Sequence, residues 1–145
     1  MVGAETSMTG ACLCGAVTLS VAHHEGGVHA CHCRLCQRWT GGVYVMVPAA
    51  PEDVKIEGPV RRYRSSSFAE RAFCGTCGSH LWLRDDGADY ELMPGLFDAA
   101  ASLPLTSEIY VDRALKALSL AGDHPRRTRA EYEAENAFVP KENLP

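Results

Sequence analysis

Phe73–Cys74–Gly75–Thr76–Cys77–Gly78 is the stretch that decides the fold, because it places two cysteines at the spacing of a metal-binding turn. A second turn of this kind, Cys12–Leu13–Cys14–Gly15, precedes it in the chain. Structural zinc takes four ligands in a tetrahedron, usually two from each of two tight turns. A glycine follows each turn and can adopt the left-handed backbone conformation that wraps a turn around a metal. We therefore predict a closed structural zinc site formed by Cys12, Cys14, Cys74 and Cys77.

A redox-active pair is the alternative interpretation of Cys74 and Cys77. Thioredoxin-like pairs need a helix after the first cysteine, because the helix lowers the pKa of that thiol. The residues that follow here, Gly78–Ser79–His80–Leu81–Trp82–Leu83, are typical of a turn and a strand instead. The sequence therefore favours the zinc site.

The other three of the seven cysteines, Cys31, Cys33 and Cys36, form a C-x-C-x-x-C motif. Catalytic zinc sites typically have three protein ligands and an open position for water or substrate. The cysteine count thus predicts a second zinc ion in an open site. The alternative is that a histidine closes this site, and the eligible residues are His23, His24, His29, His32 and His80.

The charge of the predicted open site calls for nearby cations. Three thiolates on Zn²⁺ leave a net charge of −1, and a substrate thiolate would make it −2. Arg34 and Arg38 lie beside the motif in the sequence, and Arg71 is a further candidate. We expect Arg34 to be the residue that offsets this charge.

Composition and charge exclude several classes of protein. The 145-residue chain carries a net charge of −4 with both signs interspersed, which argues against a nucleic-acid surface. Its longest apolar stretch, residues 43–50, is far shorter than the ~20 residues of a membrane helix. Residues 1–10 lack the pattern of a signal peptide, so we expect a cytoplasmic protein. Disulfides do not persist in that reducing compartment, which favours metal ligation by the cysteines.

The hydrophobic pattern predicts a mostly β domain. Short alternating or β-branched runs predict strands at residues 16–22, 43–47, 54–56, 60–64, 68–73, 81–83, 90–93 and 109–111. Pro48 is expected to stop the second of these strands. A single helical turn is predicted over residues 34–40, ended by Gly41–Gly42.

The segment 123–145 differs from the preceding domain, residues 1–122, because it is highly charged. Thr128 and Glu131 have the spacing of a capping box, and Ala130, Ala134 and Ala137 or Phe138 would form a thin apolar stripe. This pattern predicts a short helix that docks on the protein's own core or on a second subunit, as in a homodimer. A frayed charged terminus is the alternative.

Three cysteine blocks in order make the chain resemble a known family. Gly10-x-Cys12-x-Cys14–Gly15, Cys31–His32–Cys33-x-x-Cys36 and Phe73–Cys74-x-x-Cys77–Gly78 resemble the blocks of the glutathione-dependent formaldehyde-activating family, which also includes centromere protein V. The similarity runs from about Gly10 to Arg113, and Arg71 and Gly95–Leu96–Phe97–Asp98 also look like family positions.

The resemblance implies a β-tent fold of short antiparallel sheets stapled by two zinc ions. Carried over by position, Cys12, Cys14, Cys74 and Cys77 would hold the structural ion. Cys31, Cys33 and Cys36 would hold the second ion, where the family's carbon–sulfur lyase activity resides. The resemblance thus implies an enzyme that joins or separates a small thiol and an aldehyde. The alternative is a non-catalytic zinc scaffold, or a metal- or redox-sensing module with two structural sites.

Overall fold

The computed structural model describes residues 6–136, which are mostly β. The strands are β1 (Met8–Ala11), β2 (Thr18–Val21), β3 (Val28–Cys31), β4 (Tyr44–Ala49), β5 (Val54–Glu57), β6 (Val60–Arg64), β7 (Ala69–Cys74), β8 (His80–Asp85), β9 (Tyr90–Leu92), β10 (Leu105–Ile109) and β11 (Arg126–Arg127). The α-helices are α1 (Arg34–Thr40) and α2 (Arg129–Glu135). Short 3₁₀ helices lie at Pro51–Asp53, Pro94–Leu96, Asp98–Ser102 and Val111–Arg113. The predicted fold class, mostly β, is confirmed.

The chain divides into two compact units, each built from separate stretches of sequence. The first unit comprises residues 6–27 and 46–104 of the described chain. In it, β1, β2 and β5 form one antiparallel sheet, and β9, β8, β7 and β6 pair in that order, with the end of β4 beside β9. The alternation of β2 buries Leu19 and Val21, while Trp82 and Leu92 are buried on the second group of strands. These apolar faces form the core of the first unit.

One glycine of β1 is required by close packing inside the first unit. A Cβ atom on Gly10 would approach the backbone oxygen of Leu96 to 2.3 Å, well inside van der Waals contact. β1 therefore reaches the 3₁₀ turn Pro94–Leu96 only with glycine at this position.

The second unit comprises residues 28–45 and 105–136 of the described chain. β10 pairs in parallel with β3 on one side and with β11 on the other. β10 ends where Tyr110 adopts a positive φ of 58°, which among residues 6–136 makes it the one non-glycine in the left-handed region. Such a backbone conformation is costly for a bulky residue and marks a place that the surrounding contacts hold firmly.

Several local predictions are confirmed and others are wrong. The helical turn over residues 34–40 is α1, ended by Gly41 at φ 89°, and the capping box of Thr128 and Glu131 is present at α2. β4 continues through Pro48 to Ala49, so the expected stop at this proline is wrong, because Val47 and Ala49 still pair with β9 on either side of it. The predicted strand 109–111 is also wrong, because the left-handed Tyr110 ends β10 at Ile109.

Two expectations concern the ends of the chain and the membrane. Ala137 and Phe138 of the predicted apolar stripe lie outside the described residues, and the domain limit at residue 122 stays a prediction. Within residues 6–136, neither helix has the length and apolar character needed to cross a bilayer.

Candidate metal centres and the neighbouring cavity

Four cysteines of the first unit meet at one point, and we call them the four-cysteine cluster: Cys12, Cys14, Cys74 and Cys77. Their sulfur atoms all lie within 4.8 Å of one another. The Cys12–Cys14 and Cys14–Cys74 sulfur pairs are 3.6 and 3.8 Å apart. A tetrahedron with Zn–S bonds of about 2.3 Å has S–S edges of about 3.8 Å, so this spacing fits zinc.

Backbone amides point at the sulfurs of this cluster. The Val17 N–H donates to Cys12 Sγ at 3.3 Å, and the amides of Thr76 and Cys77 donate to Cys74 Sγ at 3.3 and 3.4 Å. The glycines that follow the turns, Gly15 and Gly78, have φ of 82° and 81°. Hydrogen bonds from amides favour the thiolate form, which is the form that binds metal.

Ser79 joins the two turns of the four-cysteine cluster and was not foreseen from the sequence. Its Oγ accepts the Leu13 N–H at 3.0 Å and lies 3.1 Å from Cys77 Sγ. Hydrogen bonds from the Ser79 hydroxyl and backbone amide lower the pKa of Cys77 to about 5. The sequence alone does not single out this serine, because its role depends on contact with Leu13 in the other turn.

The four thiols cannot all ionise without a compensating cation. The hydrogen bond from the Val17 amide lowers the pKa of Cys12. A hydrogen bond from the Ala16 amide acts in the same direction on Cys14, but desolvation and the neighbouring sulfurs outweigh it and raise the pKa of Cys14 to about 11. The pKa values of Cys12 and Cys14 move in opposite directions because like charges in one site repel each other. A bound divalent cation removes this repulsion. The donor set therefore fits a thiophilic ion such as zinc.

The other three cysteines meet in the second unit and form the three-cysteine cluster: Cys31, Cys33 and Cys36. Cys31 ends β3, and Cys33 caps the N-terminus of α1, where its sulfur accepts the Cys36 N–H at 3.4 Å. Cys31 and Cys36 are buried, whereas Cys33 is partly exposed. The adjacent thiols of Cys33 and Cys36, followed by burial, raise the pKa of Cys31. This cluster too can ionise fully only around a cation.

No histidine joins the three thiols within residues 6–136, a range that includes all six histidines of the chain. His32, the nearest in sequence, directs Nε2 to Glu108 Oε1 at 2.7 Å. His29 Nδ1 faces the Ser107 hydroxyl at 2.5 Å instead. The described ligand atoms thus leave the three-cysteine cluster with three protein donors.

A buried network of polar and charged side chains surrounds His32, and it was not predicted from the sequence. Glu108, on β10, is 4% exposed and binds His32 through one oxygen and His124 Nε2 through the other at 2.5 Å. Arg126 Nε adds a third contact with Glu108 at 3.1 Å. Burial raises the pKa of Glu108, but the hydrogen bonds from His124 and His32 outweigh it and hold the pKa below its ordinary value. Through Glu108, the network links His32, which lies between Cys31 and Cys33, with His124 and Arg126.

A small cavity opens beside the exposed side of the three-cysteine cluster. Its walls are Cys33, Arg34, Tyr110, Arg113 and Arg129. Arg34 therefore lies where the sequence argument expects it, and Arg113 and Arg129 are additional cations. The two other candidates lie elsewhere: Arg38 in the last turn of α1, and Arg71 buried in β7 of the first unit.

The sequence was compared with known families, and residues 7–113 match the profile described as "Glutathione-dependent formaldehyde-activating enzyme". The chain belongs to the glutathione-dependent formaldehyde-activating family. The matched residues include all seven cysteines, together with Tyr110 and Arg113, and end before α2. The predicted family is thereby confirmed.

Two similar proteins add to this assignment. A protein of Schizosaccharomyces pombe (strain 972 / ATCC 24843) named "Uncharacterized lyase C29B12.13" is 30% identical over 106 residues, which cover 71% of this chain and 77% of the yeast protein. A crystal structure of a Rhodobacter sphaeroides protein aligns with a TM-score of 0.55 at 21% identity, covering 68% of this chain and all of that one. The yeast relative is named as a lyase. The Rhodobacter sphaeroides structure supports the fold alone.

Proposed function

We propose that this member of the family is a zinc-dependent carbon–sulfur lyase that forms or cleaves the adduct between a small thiol and an aldehyde. The observation that carries the proposal is the three-cysteine cluster, which has three protein donors among the described residues and one residue, Cys33, that is partly exposed and lines a cavity. Family membership and the lyase name of the yeast relative support the same class of reaction.

Two zinc ions per chain are part of the proposal, with different tasks. The four-cysteine cluster would hold a structural ion, because four thiolates complete its coordination. An ion held by Cys31, Cys33 and Cys36 would supply Lewis acidity and the means to keep a substrate thiol deprotonated at neutral pH. Glutathione, the thiol in the family description, is the first candidate substrate, and the aldehyde candidate is formaldehyde.

The chain's own residues would orient the reactants and offset charge. In the forward direction the thiol sulfur bonds to the carbonyl carbon while the carbonyl oxygen takes up a proton, so the thiol and aldehyde together yield one hydroxyalkyl thioether. Cleavage runs these changes backwards. Arg34, which follows Cys33 in the sequence and lines the cavity, would stabilise the negative charge of a thiolate bound beside three protein thiolates.

Exchange spectroscopy tests the activity directly, because the adduct also forms without a catalyst. ¹³C-formaldehyde and glutathione at equilibrium are observed by two-dimensional NMR exchange, with and without the zinc-loaded protein. We expect the protein to accelerate exchange between free aldehyde and adduct, and Cys33→Ser to abolish the acceleration. Cys33→Ser should still contain the ion of the four-cysteine cluster.

The alternative is a zinc scaffold with two structural sites. If the wild-type protein holds two ions and accelerates no exchange with glutathione or smaller thiols, the lyase proposal is wrong. A cytoplasmic location, a small thiol and an aldehyde as substrates, the absence of nucleic-acid and membrane partners, and a homodimer stay predictions.

A further inference from the structure

The helix α2 lies outside the residues that match the family, yet it contributes to the cavity beside Cys33. The family match ends at residue 113, and α2 spans Arg129–Glu135. Its first residue, Arg129, lines the same cavity as Cys33. A cation from outside the family match thus lines the same cavity as the family's cysteine motif, within the second unit.

Several contacts hold α2 on the turn that follows β10. The Arg129 N–H donates to Asp112 Oδ1 at 2.8 Å, and the Tyr110 hydroxyl donates to Glu133 Oε2 at 2.9 Å. The rings of Tyr110 and Tyr132 lie 5.5 Å apart. Because Tyr110 is fixed in a left-handed conformation, these contacts give Arg129 a defined position at the cavity.

The cavity has more positive charge than its own carboxylates neutralise. Arg129 Nε contacts Glu133 Oε2 at 3.1 Å and is 28% exposed. Arg34 and Arg113 form no ion pair with any residue of the described range 6–136. Guanidinium groups that converge without carboxylate partners are typical receptors for a carboxylate or another oxyanion.

We propose, resting on the lyase function above, that Arg129 together with Arg113 binds a carboxylate of the substrate, so that this protein selects anionic thiols. The substrate sulfur would lie beside Cys33 and its carboxylate at the rim formed by α2. Glu133 competes for the same guanidinium, because its Oε2 already contacts Arg129 Nε. Charge compensation of the cysteine cluster is a different role, since it would favour every thiolate equally.

A matched pair of thiols separates the two roles. Cobalt-loaded protein is titrated with 3-mercaptopropionate and with 3-mercaptopropan-1-ol, which have the same length and differ in the carboxylate. Binding is measured by calorimetry and by the cobalt charge-transfer absorption. We expect the carboxylate thiol to bind about tenfold more tightly, the size of effect expected of one charge-assisted hydrogen bond. Arg129→Gln should remove that preference and leave binding of the neutral thiol unchanged.

The control variant is Arg127→Gln, an arginine beside the same helix that pairs with Glu135 at 2.8 Å and is not part of the cavity wall. It should keep the full preference. Glu133→Gln should tighten binding of 3-mercaptopropionate alone, because it removes the competing charge. If Arg129→Gln does not fold, Glu133→Gln decides the test, and an unchanged preference in it contradicts the proposal.

The outcomes distinguish this proposal from the one on which it rests. If both thiols alter the cobalt spectrum with equal affinity, the lyase site stands and the carboxylate selection is wrong. If Arg129→Gln weakens both thiols alike, the arginine only compensates charge, and the selection is wrong again. If neither thiol alters the spectrum, the open site itself is wrong and both proposals fail.

Discussion

The two cysteine clusters differ most in the sequence separation of their members. The four-cysteine cluster joins turns that are 60 residues apart, whereas the three-cysteine cluster lies within the six residues Cys31–Cys36. Linking positions 60 residues apart removes chain entropy from the unfolded state worth about 4 kcal/mol in the cross-link model. A cluster within six residues removes far less entropy from the unfolded chain and stabilises the fold less in this way. The proposed division of roles, in which one cluster stabilises the fold and the other takes part in the reaction, rests in part on this difference.

The immediate surroundings of the clusters differ in the same sense. Backbone amides and Ser79 support the sulfurs of the four-cysteine cluster. One backbone amide, the Cys36 N–H, also reaches a sulfur of the three-cysteine cluster, but a side-chain network around Glu108 and a cavity lined by arginines lie next to these cysteines. Support by several amides suits a closed structural site, while charged side chains at a cavity suit a site that admits a ligand.

The largest expected effect comes from removing one sulfur of each cluster. Cys74→Ser should lower the melting temperature by about 10 °C or more, or abolish cooperative unfolding, because it removes the long-range link. Cys36→Ser should lower it by about 5 °C or less and leave a folded protein with one metal class missing. Circular dichroism melting curves and metal analysis measure both. Equal damage from the two substitutions would show that the clusters do not differ in role.

Chelation should divide the bound metal into two classes. The ion at the three-cysteine cluster should leave first, since it has fewer protein ligands. Far-ultraviolet circular dichroism should stay constant during this first phase and decline only in the second. A single phase in which metal and structure are lost together would contradict the comparison.

Glu108→Gln should weaken the three-cysteine cluster selectively. We expect metal affinity there to fall several-fold and the free energy of unfolding at pH 7 to fall by about 1–3 kcal/mol, because Arg126 loses its buried partner. Metal competition assays and denaturant titrations measure the two effects. Glu57→Gln, at an exposed position of β5, is the control and should change neither.

The pH dependence of this effect follows from the lowered pKa of Glu108. Its ionised carboxylate stabilises the fold fully above its ordinary pKa of 4.5, and the stabilisation is lost as the pH falls through the lower pKa of the folded state. Wild-type protein and Glu108→Gln should therefore converge in stability at acidic pH. A stability difference that grows as the pH falls would contradict the assignment.

Ser79→Ala should give the smallest effect, confined to the four-cysteine cluster. Loss of the hydroxyl removes the contact with Leu13 N–H and should raise the pKa of Cys77 from about 5. We expect a loss of about 1 kcal/mol in the free energy of unfolding. In the chelation experiment, only the rate of the slower phase of metal loss should increase. A faster first phase would contradict the view that Ser79 acts on the four-cysteine cluster alone.

The sequence was sufficient to predict both clusters and the helix that carries Cys36. Cysteine spacing is short-range information, and the helix over residues 34–40 is bounded by its own capping residues, Cys33 and Gly41. The partners of these residues could not be predicted in this way, because Glu108 and Arg129 come from distant parts of the chain and Ser79 contacts a turn 66 residues away. No local pattern predicts that β10 stops at a left-handed Tyr110, or that Glu108 faces His32. Long-range pairing decides these features.

The order of the cysteines along the chain has a consequence for biosynthesis. A ribosome delivers five thiols, from Cys12 to Cys36, before it adds Cys74 and Cys77. At about 5–20 residues per second, the nascent chain spends roughly 2–8 s in that incomplete state. An ion captured meanwhile by Cys12 and Cys14 would find its only further cysteine ligands among Cys31, Cys33 and Cys36. Completion of the four-cysteine cluster would then require ligand exchange, in which Cys74 and Cys77 displace the early partners.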